Sequence, residues 1–164
     1  MVGPRPPRKQ TAAHPSLSPT VPVLTRTQVI DQPVHRVFGT VVDGANYARW
    51  NPTVRSSRKL DESEVGDGTQ FEWELRGFGK VVQELQEFEP EARVRIVPHI
   101  KSLRGGHRFL FTAQGDRTRV DHELEMTPMG YFRLFAPLMG MMGRRNLRDT
   151  ANALQAYLEE TRRS

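Results

Sequence analysis

At 164 residues the chain can bury one ordinary core unaided, and the lack of any cysteine excludes disulfide frameworks, thiolate metal sites and cysteine nucleophiles. The net charge of +5 is concentrated at one end: residues 1–21 carry Arg5, Arg8 and Lys9 and no acid, against 21 basic and 19 acidic residues in the remainder. Nucleic-acid binding would want aromatics between those basic residues, or a basic helical face, and the segment has neither, so no nucleic-acid partner is expected.

Residues 1–21 are rich in Pro, Ser and Thr and poor in large apolar residues. This composition predicts a disordered basic tail ahead of one domain over 22–164. The tail lacks the apolar run of a secretion signal. No segment holds the roughly 20 apolar residues that cross a bilayer, since the longest candidate, "YFRLFAPLMGMMG", contains Arg133. The expectation is a cytoplasmic protein with no stable membrane insertion.

"VLTRTQVI" alternates and is β-branched, which predicts a first strand over 23–30. Pro33 then suits a first helical turn, and Val34, Val37, Phe38 and Val41 recur at helical spacing. A second short helix over 44–50 ends in "NYARWNPTV", where Pro52 stops it. Six strands follow, with turn signals between them. "TVRSSRKL" is the second strand. "TQFEWELR" is the third, with Phe71, Trp73 and Leu75 on one face. "KVVQELQEFE" alternates less cleanly and predicts a bulge. "ARVRIVPHI" is the fifth strand and "HRFLFTA" the sixth. "TRVDHELEM" is the seventh, with Val120, His122, Leu124 and Met126 opposite Asp121, Glu123 and Glu125. One apolar and one polar face, joined by short turns, imply an antiparallel sheet. From about 129 to 162 the period becomes helical: Phe132, Phe135, Met139, Met142, Leu147, Ala151, Leu154 and Leu158 form a stripe. Pro137, Gly140 and Gly143 predict a bend or break in its first half. Only this helix is long enough to cover the sheet.

The order of these elements resembles the helix-grip fold of the START-like (SRPBCC) superfamily, which includes Bet v 1-type proteins and the polyketide cyclase/dehydrase and lipid transport-like family. "PVHRVFGTVVDGANYARWNP" resembles its helix, aspartate and short helix ending in Trp-Asn-Pro. "EVGDGTQFEWEL" resembles its hairpin entry, "GDRTRVDHELEM" its late strand, and "LRDTANALQAYLEE" its terminal helix. The resemblance covers about residues 22–160. It implies an α+β fold, with a curved seven-stranded antiparallel sheet wrapped around the C-terminal helix and two short helices after the first strand. Trp50 and Pro52 become a structural plug between those helices and the sheet.

The resemblance also implies a cavity between sheet and helix. Phe71, Trp73, Leu75, Phe109, Phe111, His122 and Leu124 would line it from the sheet, with Val94, Ile96, Val120 and Met126 on the same face. Phe135, Met139 and Met142 would line it from the helix. Such a mostly apolar, Met-rich lining suits a small hydrophobic ligand: a lipid, a polyketide or an isoprenoid. His107 and His122 are the inward polar exceptions and the candidate acid–base groups. Two histidines alone lack the third ligand of a usual metal site, so neither metal nor other cofactor is expected. Gln83 and Arg119 would join them if strand register differed. So few inward polar groups favour ligand binding over catalysis. The alternative is an aromatic polyketide cyclase/dehydratase that folds and enolises a bound poly-ketone chain. The sequence leaves monomer and homodimer both open.

Overall fold

A computed structural model describes residues 23–163. The tail expected over 1–21 lies outside the described residues. β1 (Val23–Ile30) alternates in burial as its sequence does. The carbonyl of Pro33 accepts from the backbone N–H groups of Arg36 and Val37 at 3.0 and 3.3 Å. Pro33 therefore caps α1 (Val34–Val42), where its missing N–H costs nothing. α1 buries Val37, Phe38, Val41 and Val42. A 3₁₀ turn (Gly44–Arg49) follows in place of the second short α-helix. Beyond it the Asn51 side chain accepts from the Thr53 backbone N–H at 3.0 Å and its hydroxyl at 2.7 Å, fixing the turn on which Pro52 is exposed.

The chain then runs through β2 (Val54–Lys59), β3 (Gln70–Leu75), β4 (Gly79–Glu89), β5 (Arg93–Pro98), β6 (Leu103–Gln114) and β7 (Arg117–Pro128). The sheet order is β1-β7-β6-β5-β4-β3-β2, with every pair antiparallel. Consecutive strands neighbour one another except β1 and β2, which occupy opposite edges. α1 and the 3₁₀ turn carry the chain between those edges. The bulge expected in β4 falls between Gln86 and Glu89, with Glu87 at φ 51°.

β6 begins at Leu103, four residues earlier than its sequence suggested, because "RGG" reads as a turn. Gly105 has φ +122°, and a Cβ there would lie 2.1 Å from the Glu125 carbonyl oxygen. Only glycine lets the two strands approach so closely, so this glycine extends the ladder instead of ending it.

A second 3₁₀ turn (Gly130–Phe135) leads into α2 (Ala136–Arg163), 28 residues without a break. The expected break is absent from its interior. Pro137 sits in the first turn, where no intrahelical hydrogen bond is lost. α2 buries Gly143, Leu147, Thr150, Ala151, Leu154 and Leu158 against the sheet. The predicted stripe therefore holds only from its second half. Phe132, Phe135 and Met142 are exposed by 49%, 55% and 60%, because the start of α2 stands off the sheet across an open cleft.

Candidate functional site

Two adjoining clefts separate α2 from the concave face of the sheet. The inner one, of about 260 Å³, has walls that include Trp73, Leu75, Ile96, Phe109, Leu124 and Met142. Trp73 is held by its indole N–H, which donates to the Gly44 carbonyl at 2.9 Å. Tyr47 stacks on it at 4.2 Å between ring centroids. Polar groups interrupt this apolar wall at Tyr47, Gln83, His107, Asn146 and Thr150, and at the mutually bonded Asn51 and Thr53. The Tyr47 hydroxyl and Thr150 Oγ1 are buried and have no hydrogen-bond partner among the described residues. Burial pushes the Tyr47 phenol well above its ordinary range, so it stays a neutral donor. A buried polar atom without a partner is costly, and two beside one cleft point to a polar ligand or water between them.

His107 and His122 meet at this cleft. In the β6–β7 register His107 faces Leu124 and His122 faces Phe109. The two histidines are thus diagonal neighbours on the inward face, within reach of each other's rings. Nδ1 of His107 lies 2.8 Å from Nε2 of His122. Phe109 stacks on His122 at 4.0 Å and shields it. Burial lowers the His107 pKa to about 4. Burial, and then repulsion from His107, hold His122 well below its usual value. Both rings are neutral at pH 7, so one donates to the other. Nδ1 of His122 has no partner among the described residues. A bare acceptor there costs less than an orphaned N–H, so the Nε2–H of His122 donates to Nδ1 of His107. His107 then carries its own proton on Nε2, as a donor at the cleft.

The outer cleft, of about 630 Å³, runs between the start of α2 and the adjoining ends of β1 and β7. Leu124 and Met126 line both clefts. The wall between them closes where Met126 meets α2: a Cβ on Gly143 would lie 2.3 Å from Met126 Cε and 3.0 Å from Leu24 Cδ1. Glycine at 143 is what lets the methionine end reach the helix.

The candidate residues distribute unevenly. Trp73, Leu75, His107, Phe109, Leu124 and Met142 come together around the inner cleft, and Met139 lines the outer one. His122 supports His107 from behind. Phe71 and Phe111 are buried but outside both clefts: Phe71 lies against Gly44, and Phe111 packs edge-on against Phe38 of α1 at 5.3 Å. Phe135 faces outward. Trp50 is 7% exposed and sits beside Tyr47 at 4.5 Å, behind the inner cleft. Arg119 is exposed and ion-paired with Asp121 at 3.0 Å on the outer face, whereas Gln83 is buried and inward. Sequence reasoning missed Tyr47, Asn146 and Thr150. Thr150 lies next to Ala151 and four residues before Leu154, so the helical period alone could have placed it inward.

The glutamates of the sheet face away from both clefts, and several of them pair with arginines. Arg95 bonds Glu125 at 2.6 Å, and Arg108 bonds Glu87 at 2.9 Å. The hydrogen bond from Arg108 holds Glu87 below the usual carboxylate range. No Asp or Glu lines either cleft.

A curved seven-stranded antiparallel sheet closed over a long C-terminal helix, with an apolar cleft between them, is a helix-grip fold. The chain belongs to the polyketide cyclase / dehydrase and lipid transport family, whose model matches residues 22–159. Among solved structures it is similar to a START superfamily protein from Mycobacterium smegmatis (15% identity, TM-score 0.69, covering 85% of this chain and 98% of that one). It is also similar to a protein of Thermus thermophilus (20% identity, TM-score 0.70, covering 85% and 99%). A third is the ZhuI aromatase/cyclase of Streptomyces sp. R1128 (13% identity, TM-score 0.69, covering 85% and 94%). At these identities the likeness is one of fold. Nothing among curated proteins matches the chain.

Proposed function

We propose that the protein binds a small apolar molecule carrying a few oxygen functions, held between sheet and helix, without transforming it. The observation that carries this reading is the inner cleft, with its apolar walls and the unpartnered Tyr47 hydroxyl and Thr150 Oγ1. An apolar body would fill the space beside Trp73 and Phe109. Ketone or hydroxyl oxygens would meet Tyr47, Thr150 and the N–H of His107. The inner cleft alone is small for such a molecule. A longer ligand would displace the Met126 side chain and extend into the outer cleft, which methionine's flexibility permits.

The protonation state of the histidines supports binding over proton transfer. General bases work best with a pKa near the operating pH, and His107 is held near 4. A second reading, cyclisation or dehydration of a poly-ketone chain, gains support from one observation: Tyr47, Gln83, His107, Asn146 and Thr150 line one cleft, more polar groups than the sequence suggested.

Native mass spectrometry of the purified protein tests the first reading. A co-purified apolar, oxygen-bearing ligand is expected, and Tyr47→Phe should weaken its binding by about 2- to 12-fold, the worth of one hydrogen bond. Incubation with poly-β-ketone substrates tests the second. New product that disappears in His107→Gln would overturn the binding reading in favour of a cyclase.

A further inference from the structure

Twelve large apolar residues are exposed among the described residues, and seven of them fall within residues 131–142. The other five are scattered along the chain, as on any soluble surface. A cluster of this kind marks an interaction site. Its geometry follows from the backbone. Residues three apart eclipse in a 3₁₀ turn, so Tyr131 and Leu134 (89% and 82% exposed) form one edge, and Phe132 and Phe135 the next. Arg133, on the third edge, lines the outer cleft. In α2, Leu138 and Met141 lie one turn apart on the side opposite Leu147, Ala151 and Leu154, and Met142 lies between that side and the rim of the inner cleft.

Charge identifies the partner. From Met129 to Arg148 the chain holds Arg133, Arg144, Arg145 and Arg148 and no acid. Arg133 and Arg144 form no ion pair among the described residues, and both border the outer cleft. Arg145 and Arg148 share the single Asp149, at 3.5 and 3.3 Å, so four arginines face one acid. An apolar surface set among arginines in such excess fits an anionic lipid interface, where side chains enter the acyl boundary and guanidinium groups meet phosphates. A second copy fits poorly, because a two-fold interface through this patch would bring like arginines together.

We propose that residues 131–142, with the four arginines, form a reversible docking surface for anionic phospholipid bilayers, and that docking turns the mouth of the outer cleft toward the lipid. No helix of the described residues is long and apolar enough to cross a membrane, so contact stays at the interface. The proposal goes beyond ligand binding and stands on the surface alone. Vesicle binding is therefore readable whether or not a cleft is occupied.

The test is co-sedimentation with phosphatidylcholine vesicles with and without phosphatidylglycerol. Binding is expected to the anionic vesicles and to be lost in high salt. Tyr131→Ser with Leu134→Ser should weaken it at least about tenfold. Arg145→Glu should weaken it about fivefold or more. All three side chains are solvent-facing and outside both clefts, and the exposed Arg145–Asp149 pair contributes little, so the melting temperature should stay close to the wild-type value. Equal binding to neutral and anionic vesicles, absence of binding, or indifference to the variants would each overturn the proposal. So would a concentration-dependent dimer, seen by analytical ultracentrifugation, that the Tyr131/Leu134 variant dissolves while vesicles are ignored.

Discussion

His107 and His122 share one hydrogen bond of 2.8 Å across adjacent strands, and burial keeps both neutral. In the unfolded chain each imidazole returns to its ordinary value of 6.5 and takes up a proton below that pH. The folded protein does not take up that proton until about pH 4 at His107. The unfolded state therefore binds more protons in this window, and stability falls as pH drops from 6.5 to about 4. His107 alone accounts for on the order of 2–3 kcal/mol of that loss. Urea unfolding at a series of pH values should show it, and a variant with both histidines replaced by Gln should flatten the slope within the window. A wild-type stability that does not change between pH 6.5 and 4.5 would contradict the neutral pair.

The Tyr47 hydroxyl separates cost from function. Without a protein partner it destabilises the unliganded fold. Tyr47→Phe should leave apo stability unchanged or raise it by about 1–3 kcal/mol, while weakening ligand binding. Loss of stability in Tyr47→Phe would show that the hydroxyl already has a partner.

Trp50 is buried beside Tyr47 and lies outside the inner cleft. Trp50→Ala should cost roughly 3–5 kcal/mol by chemical denaturation, with little change in the sizes of ligand accepted. Retained stability with altered ligand selection would move Trp50 from the core to the site.

Met126 and Gly143 control the wall between the clefts. Gly143→Ala forces Met126 Cε aside, but alanine favours the helix over glycine by up to about 1 kcal/mol. The two effects should nearly cancel in stability. Met126→Ala removes the wall, and longer ligands should then bind as well as short ones. An unchanged size profile in a graded ligand series would mean that the clefts act separately.

Amide exchange should divide α2 in two. Backbone N–H groups at 138–142, on the turns that stand off the sheet, should exchange faster than those at 147–158, where Leu147, Ala151, Leu154 and Leu158 are buried. Ligand or vesicles should slow the first set. Equal protection along the helix would rule out a mobile first half.

The sequence by itself determined the strand and helix order, which face of each strand is buried, and the presence of two histidines on the same face. Those properties are periodic and local: residues two apart in a strand, or three and four apart in a helix, share a face whatever they pack against. Only the tertiary structure decided which inward residues border open space. Phe71, Phe111 and Phe109 alternate identically in the sequence, yet α1 and the first 3₁₀ turn cover the first two, leaving Phe109 at the cleft. Register did the same for the histidines: a shift of two residues between β6 and β7 would have separated them or set them face to face. The second 3₁₀ turn and the start of α2 show the limit most plainly. Phe132, Phe135 and Met142 keep the helical period of buried residues, but the end of the sheet and the turn at Gly130 hold that part of the chain away from the core. Periodicity encodes a face, and only a packed neighbour determines whether that face is covered.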